Sequence, residues 1–221
     1  MKETFEQVYN RFDKEGMMIG RAVAIDAIRV LGDIYIFGIW SGVSTKLISD
    51  YLDMKNKSYK KMWGFDSFTG LPKEKEGFDR YVGHNPGSYS SISLYSDSID
   101  NTIEIIKNGI NNPRLELIPG YYKDILNKKL TCDKDFNVAS FVDVDVDLYD
   151  STVDVLKFLF KNKLTVPGTI FYFDDWGAVE EYTSGESLAW KELTECYNIQ
   201  YKEIFSIGNM PYIQKVFKQI K

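Results

Sequence analysis

Cysteine and histidine are nearly missing from this chain. Its 221 residues hold two cysteines and one histidine, so neither a disulfide framework nor a zinc centre built on imidazole is expected. Cys132 and Cys196 lie far apart without metal-type spacing and read as unpaired thiols of a reducing compartment. A basic excess is lacking too. Lys and Arg number 27 against 32 Asp and Glu, a net charge of −5, which argues against nucleic acid as a partner. No apolar run approaches the ~20 residues of a membrane span. The opening MKETFEQVYNRFDKEG carries acids where a signal peptide needs an apolar core. A cytoplasmic protein without a membrane span is the expectation. Internal repeats and low-complexity tracts are absent, and the length is that of one domain, 1–221.

What is present is an alternation of apolar runs with helical patterns. Residues 4–31 have helix-compatible spacing (Phe5, Val8, Phe12, then Ile19, Ala22, Ile25, Ile28), interrupted near Gly16. Strands are predicted at 33–39, 60–68, 114–120, 137–148 and 167–176, with helices over about 44–52, 97–110, 151–162 and 185–197. The end of the chain reads as two strands around the turn signal Gly208-Asn209. The pattern predicts an α/β layered domain, a mostly parallel sheet with an antiparallel edge and helices on both faces. Residues 69–91, polar and holding four Gly and two Pro, are too long for an ordinary connection and read as a lid or substrate loop. Within it His84 reads as a surface residue, and Arg80 equally as a solvated charge or as a contact for an anionic group. Packing is the default reading of Tyr89, Tyr95, Tyr121 and Tyr122, with a sugar-binding role as the alternative.

The segment SFVDVDVDLYDST (140–152) sets acids at alternate positions of an apolar strand. Val142, Val144 and Val146 take one face, and Asp143, Asp145 and Asp147 the other. A central parallel strand has no solvated face. Its carboxyl end, however, opens into the crevice where ligands gather. Carboxylates clustered there repel unless a cation offsets them. The next strand ends in Asp174-Asp175. Acids from two neighbouring strand ends suit a hard divalent cation such as Mg²⁺ better than simple capping. Asp150, in the following turn, is assigned to capping the next helix.

The first strand ends in IFGIWSGVST, whose Gly38 and Gly42 let backbone approach a ligand, with Ser44 and Thr45 opening a helix. Asp66 ends the second strand, where an acid commonly takes ribose hydroxyls. The dinucleotide fingerprint G-x-G-x-x-G is missing, so an adenosyl ligand without a pyrophosphate fits better than NAD.

In this order FGIWSGVS, WGFDSFTGLP, IPGYYKD, DVDLYDSTVDVLKFLF and PGTIFYFDDW resemble the macrocin O-methyltransferase (TylF/MycF/NovP-like) family over residues 20–200. The resemblance implies a Rossmann-like class I methyltransferase sheet whose last strand is antiparallel. It implies a metal-dependent enzyme that uses S-adenosylmethionine to methylate hydroxyls of sugars or related small molecules, free or nucleotide-linked. It further implies Asp145, Asp174 and Asp175 as metal ligands and Asp147 as general base. Gly38, Gly42, Ser44, Asp66 and Tyr121 would line the cofactor pocket, with the flanking Trp40, Ser67 and Phe68. Self-association stays open.

Two positions depart from the family pattern. Ile36 stands where relatives often carry an acid before the glycine phrase, and Asp143 is an acid the pattern does not require. Three other readings compete. A nucleotide-sugar glycosyltransferase also uses D-x-D on a metal, but leaves the Asp174-Asp175 pair and the glycine loop unexplained. A haloacid-dehalogenase-type hydrolase would carry its D-x-D on the first strand. A degenerate methyltransferase fold that only binds a partner has Ile36 in its favour and the intact acid set against it.

Overall fold

A computed structural model describes residues 2–73, 85–177, 185–209 and 212–221. Among these, the strands are β1 (Asp33–Phe37), β2 (Met62–Asp66), β3 (Leu115–Pro119), β4 (Ala139–Val144), β5 (Ile170–Phe173), β6 (Tyr201–Asn209) and β7 (Tyr212–Gln219). They form one sheet in the order β3-β2-β1-β4-β5-β7-β6. The first five pair in parallel, and β7 runs antiparallel to both β5 and β6. The C-terminal hairpin thus forms the antiparallel edge that the sequence suggested: β7, the last strand, docks antiparallel on β5 and leaves β6 outermost. The Gly208-Asn209 turn signal shifts: both residues lie in β6, and Asn209 pairs with Tyr212.

The helices are α1 (Phe5–Arg11), α2 (Lys14–Ala27), α3 (Val43–Met54), α4 (Ser91–Leu94), α5 (Ile99–Ile110), α6 (Tyr122–Ile125), α7 (Lys128–Asp133), α8 (Tyr149–Lys161) and α9 (Gly185–Cys196). Strand side chains alternate between two cores. Tyr35, Phe37, Phe65, Val142, Val144, Phe171 and Phe173 pack with Leu156 and Leu159 of α8 and Trp190 of α9. Ile34, Ile36, Phe141, Ile170 and Tyr172 pack with Ala24 and Ile25 of α2 and Ile48 and Leu52 of α3 on the other face. Both faces are covered, as a parallel sheet requires. No helix among the described residues is long and apolar enough to cross a membrane.

The N-terminal helix breaks at Phe12-Asp13 rather than at Gly16. The Asp13 carboxylate caps α2 by accepting from Glu15 N and Gly16 N, and Gly16 continues inside the helix. The buried face of α2 is also rotated from the expected one. Gly20, Arg21, Ala24 and Ile25 are buried, whereas Ile19 is 40% exposed.

Asp33 anchors the amino-terminal edge of the sheet. Its buried carboxylate accepts from Trp63 Nε1 at 2.8 Å, Asn137 N at 2.8 Å and Lys61 N at 3.2 Å, tying β1 to β2 and to the approach to β4. Replacing it by Ala strands these donors in the interior, where each unsatisfied group costs ~1–3 kcal/mol. Urea denaturation of Asp33→Ala is expected to show a loss of about 3 kcal/mol, since partial solvent access for the Lys61 amide limits the total.

Candidate active site

The strand order reverses between β1, which leads outward through β2 and β3, and β4, which starts the other half of the sheet. A crevice opens at the carboxyl ends of strands at such a point, and a cavity of about 690 Å³ lies there. Its walls bring together Gly38, Trp40, Ser44, Asp66, Ser67 and Tyr121 with Asp145, Asp147, Asp174 and Asp175. Gly42 and Phe68 do not line it. Gly42, at φ +77, faces Ile106 and Phe5, and Phe68 is wholly buried in the α2–α3 core. The lid expected over 69–91 falls partly outside the described residues, as do His84 and Arg80. Of the four tyrosines, Tyr89, Tyr121 and Tyr122 line the cavity. Tyr95 is buried and donates to Ser41 O.

One half of the cavity is a backbone cradle. Gly38 has φ +93, and a Cβ there would sit 1.8 Å from the carbonyl oxygen of Asp145, so only glycine lets the loops after β1 and β4 meet. Asp66 holds the loop after β1 in place. Its Oδ2 accepts from Ile39 N and Trp40 N, both at 2.8 Å, and its Oδ1 from Phe68 N at 2.6 Å. Burial raises its pKa, and these N–H groups work against the rise. Oδ2 is saturated by its two amides, and Oδ1, with one, retains acceptor capacity toward a hydroxyl. A glycine-opened loop pinned by such an acid fits the adenosyl ligand expected from the sequence.

The other half is acidic. β4 ends at Val144, earlier than the sequence suggested, so Asp145 and Asp147 lie on the loop beyond it. Asp147 has φ +62, a left-handed conformation that Asp tolerates better than most residues. The turn also advances the next helix: Leu148 occupies the N-cap position of α8 without a side-chain bond, and Asp150 is a first-turn acid rather than the cap. A ligand oxygen from each of Asp145, Asp174 and Asp175 lies within 4.8 Å of the others. Burial, then the neighbouring Asp174, pushes the Asp145 pKa up. Burial and Asp145 raise Asp147 to about 7, and burial with Asp147 raises Asp175. The donor set is all hard oxygen, and its crowding disfavours the charged forms, an effect that Arg21 offsets only in part. These residues fit a hard divalent ion.

Sequence reasoning missed two charged residues at this centre. Arg21 of α2 is 1% exposed. It donates through Nε to Asp143 at 3.0 Å, through Nη2 to Asp145 at 2.7 Å and through Nη1 to Asp174 at 3.2 Å, and lies over the Tyr172 ring. Burial works against its charge, but attraction to Asp143 and then to Tyr172, Asp174 and Asp145 outweighs this, and its pKa is raised well above the usual arginine value. Tyr172 and Gln214 also donate to Asp174 Oδ1. Asp143 thus faces a guanidinium, beside Ile36, its register neighbour on β1. The available signal was a cation inside the apolar stretch MMIGRAVAI. The second residue is Glu186 of α9, 0% exposed, which accepts from Val146 N and Asp175 N, each at 3.2 Å. A first-turn acid on a helix carried no such signal, since helix-dipole complementarity already explains it.

Residues 11–208 match the family model described as macrocin-O-methyltransferase (TylF). The chain is 26% identical over 151 residues to the 8-demethyl-8-(2,3-dimethoxy-alpha-L-rhamnosyl)-tetracenomycin-C 4'-O-methyltransferase of Streptomyces olivaceus, covering 66% of this chain and 54% of that protein. It is 27% identical over 174 residues to the demethyldecarbamoylnovobiocin O-methyltransferase of Streptomyces niveus, covering 72% and 61%. The chain thus spans less than two thirds of these curated relatives. Among solved structures, the O-methyltransferase NovP superposes with a TM-score of 0.65 at 21% identity, covering 94% of this chain and 80% of that one. The calicheamicin methyltransferase CalS11 does so with 0.66 at 17% identity, covering 93% and 78%. An O-methyltransferase from Bacillus cereus in complex with SAH gives 0.57 at 14% identity, covering 98% and 89%. At these identities the structural likeness establishes the Rossmann-like methyltransferase fold.

Proposed function

The chain belongs to the macrocin-O-methyltransferase (TylF) family, and from that premise we propose that it methylates a hydroxyl of a sugar or related small molecule with S-adenosylmethionine. The observation that carries the reading is the meeting of two half-sites in one cavity: the Gly38–Asp66 cradle and the Asp145, Asp174, Asp175 cluster. Asp145, Asp174 and Asp175 would hold a hard divalent ion, Mg²⁺ by donor type. The names of the Streptomyces relatives, one acting on a rhamnosyl-tetracenomycin and one on demethyldecarbamoylnovobiocin, support a small-molecule acceptor, the first of them one that carries a sugar.

When bound, S-adenosylmethionine supplies an electrophilic methyl carbon, and the cation supplies Lewis acidity toward acceptor hydroxyls. The chain supplies position and a proton acceptor. Gly38 lets the loops after β1 and β4 meet at the cavity wall, and Asp66 fixes the loop that would receive the ligand. Asp147 would take the proton of the acceptor hydroxyl, leaving its oxygen free to accept the methyl group. Holding both reactants at one strand-end crevice contributes much of the rate in such a displacement.

Calorimetric titration of S-adenosylhomocysteine into the protein, with Mg²⁺ and again with EDTA, is the test. Binding in the micromolar range or tighter under both conditions is expected, since neither Gly38 nor Asp66 belongs to the clustered acids Asp145, Asp174 and Asp175. Binding only with Mg²⁺ would move the ion to the cofactor side. No binding under either condition would overturn the methyltransferase reading.

A further inference from the structure

We infer that Glu186 is the positioning residue of the acidic centre, a single buried carboxylate that ties together the two loops carrying the proposed base and metal ligands. The inference rests on the reading of Asp145, Asp174 and Asp175 as a cation site. Those loops leave different strands, β4 and β5. Beyond the sheet, where Asp174 N still bonds Val144 O, regular pairing no longer sets their separation. Glu186 spans the gap. Its Oε1 accepts from the amide of Val146, between Asp145 and Asp147, and its Oε2 from the amide of Asp175, both at 3.2 Å.

Glu186 is itself held by a rigid reference. One helical turn along α9, Trp190 is fully buried, with ring centroids 4.9 Å from Phe171, 5.1 Å from Phe173 and 5.3 Å from Phe217. Residues i and i+4 share a helix face, so the packing of Trp190 on β5 and β7 fixes where the carboxylate stands. Glu186 is not one of the clustered ligands, Asp145, Asp174 and Asp175; both its oxygens face backbone amides. Outer partners of this kind set the geometry of the groups that do bind.

The test compares wild type with Glu186→Gln and Glu186→Asp. Gln keeps the shape but turns an NH₂ toward one of the two amides. Asp keeps the charge but is a methylene too short to reach both. Three quantities are measured: Mn²⁺ affinity by electron paramagnetic resonance, S-adenosylhomocysteine affinity by calorimetry, and hydrogen exchange at the Val146 and Asp175 amides. Both variants are expected to bind Mn²⁺ at least about tenfold more weakly, with S-adenosylhomocysteine affinity within about twofold of wild type. Exchange at both amides is expected to accelerate. Unchanged Mn²⁺ affinity, or a parallel loss of Mn²⁺ and S-adenosylhomocysteine binding in the variant that remains folded, overturns the assignment. If wild type takes up no Mn²⁺, the cation reading itself falls. The amide exchange then decides: acceleration with intact S-adenosylhomocysteine binding keeps Glu186 as the tie between the loops, and unchanged exchange removes it.

Discussion

Asp147→Asn is expected to cut methyl transfer by ~10²–10⁴-fold, the usual contribution of a positioned general base, while S-adenosylhomocysteine affinity stays within about twofold. The substitution suits the question because it disturbs so little else. Asp147 sits at φ +62, where Asn is as well accommodated as Asp. The hydrogen bond it shares with Asp175 lowers the Asp147 pKa and raises that of Asp175, so Asp175 is the donor and an Asn at this position can keep the contact by accepting through Oδ1. What the variant lacks is the ability to accept and keep a proton. The measurement is transfer of labelled methyl from S-adenosylmethionine to the glycoside identified by acceptor screening, alongside calorimetry with the product. Wild-type turnover in the variant would remove Asp147 as base and leave the acceptor proton to solvent. Loss of both turnover and product binding would mean that the substitution had disturbed the cradle, through the contact between Gly38 and the loop of Asp145.

The second large effect concerns stability. Arg21→Met is expected to destabilise the protein by about 3–5 kcal/mol, the cost typical of breaking a buried ion pair from one side. Met keeps much of the side-chain volume, so packing loss is a minor component. The larger cost is electrostatic: Asp143, 0% exposed, has Oδ1 without a hydrogen-bond partner even in the intact protein and would lose the bond to Oδ2 as well. Pairing Arg21→Met with Asp143→Leu is expected to recover a large share of the loss, because apolar replacement of a whole buried pair is often neutral. Equilibrium urea unfolding of the three variants checks this. A double variant no more stable than Arg21→Met would assign the cost to Asp145 and Asp174, the other two carboxylates on the guanidinium, rather than to Asp143.

The sequence by itself determined the class of fold and the strand ends at which the candidate site residues gather. Period-two valines against aspartates in FVDVDVD mark a strand with one apolar face, and the structure places Val142 and Val144 in one core while Asp143 faces Arg21 on the other side. The alternation of strands and helices requires crossovers, hence a largely parallel sheet, hence a crevice at the carboxyl ends, where Gly38, Asp66, Asp145, Asp174 and Asp175 all fall. These are local or topological rules, and each can be read from a short window. Strand and helix ends were less legible. β4 stops at Val144 and α8 begins at Tyr149, because Asp147 takes a left-handed turn that no residue pattern announces.

Only the tertiary structure decided which groups meet. Arg21 and Asp143 are 122 positions apart, and Glu186 lies 40 positions from Val146. Whether a helical Arg points into solvent or into a cluster of acids depends on how its helix rotates against the sheet. That rotation follows from packing summed over the whole α2 face, which buries Arg21 and Ala24 and leaves Ile19 40% exposed. The insertion of β7 between β5 and β6 has the same origin: pairing partners are chosen by the energy of the complete sheet, not by the strand's own residues. A sequence can announce that carboxylates will gather. Where their compensating cation comes from, and what holds their loops in register, is settled when distant segments pack.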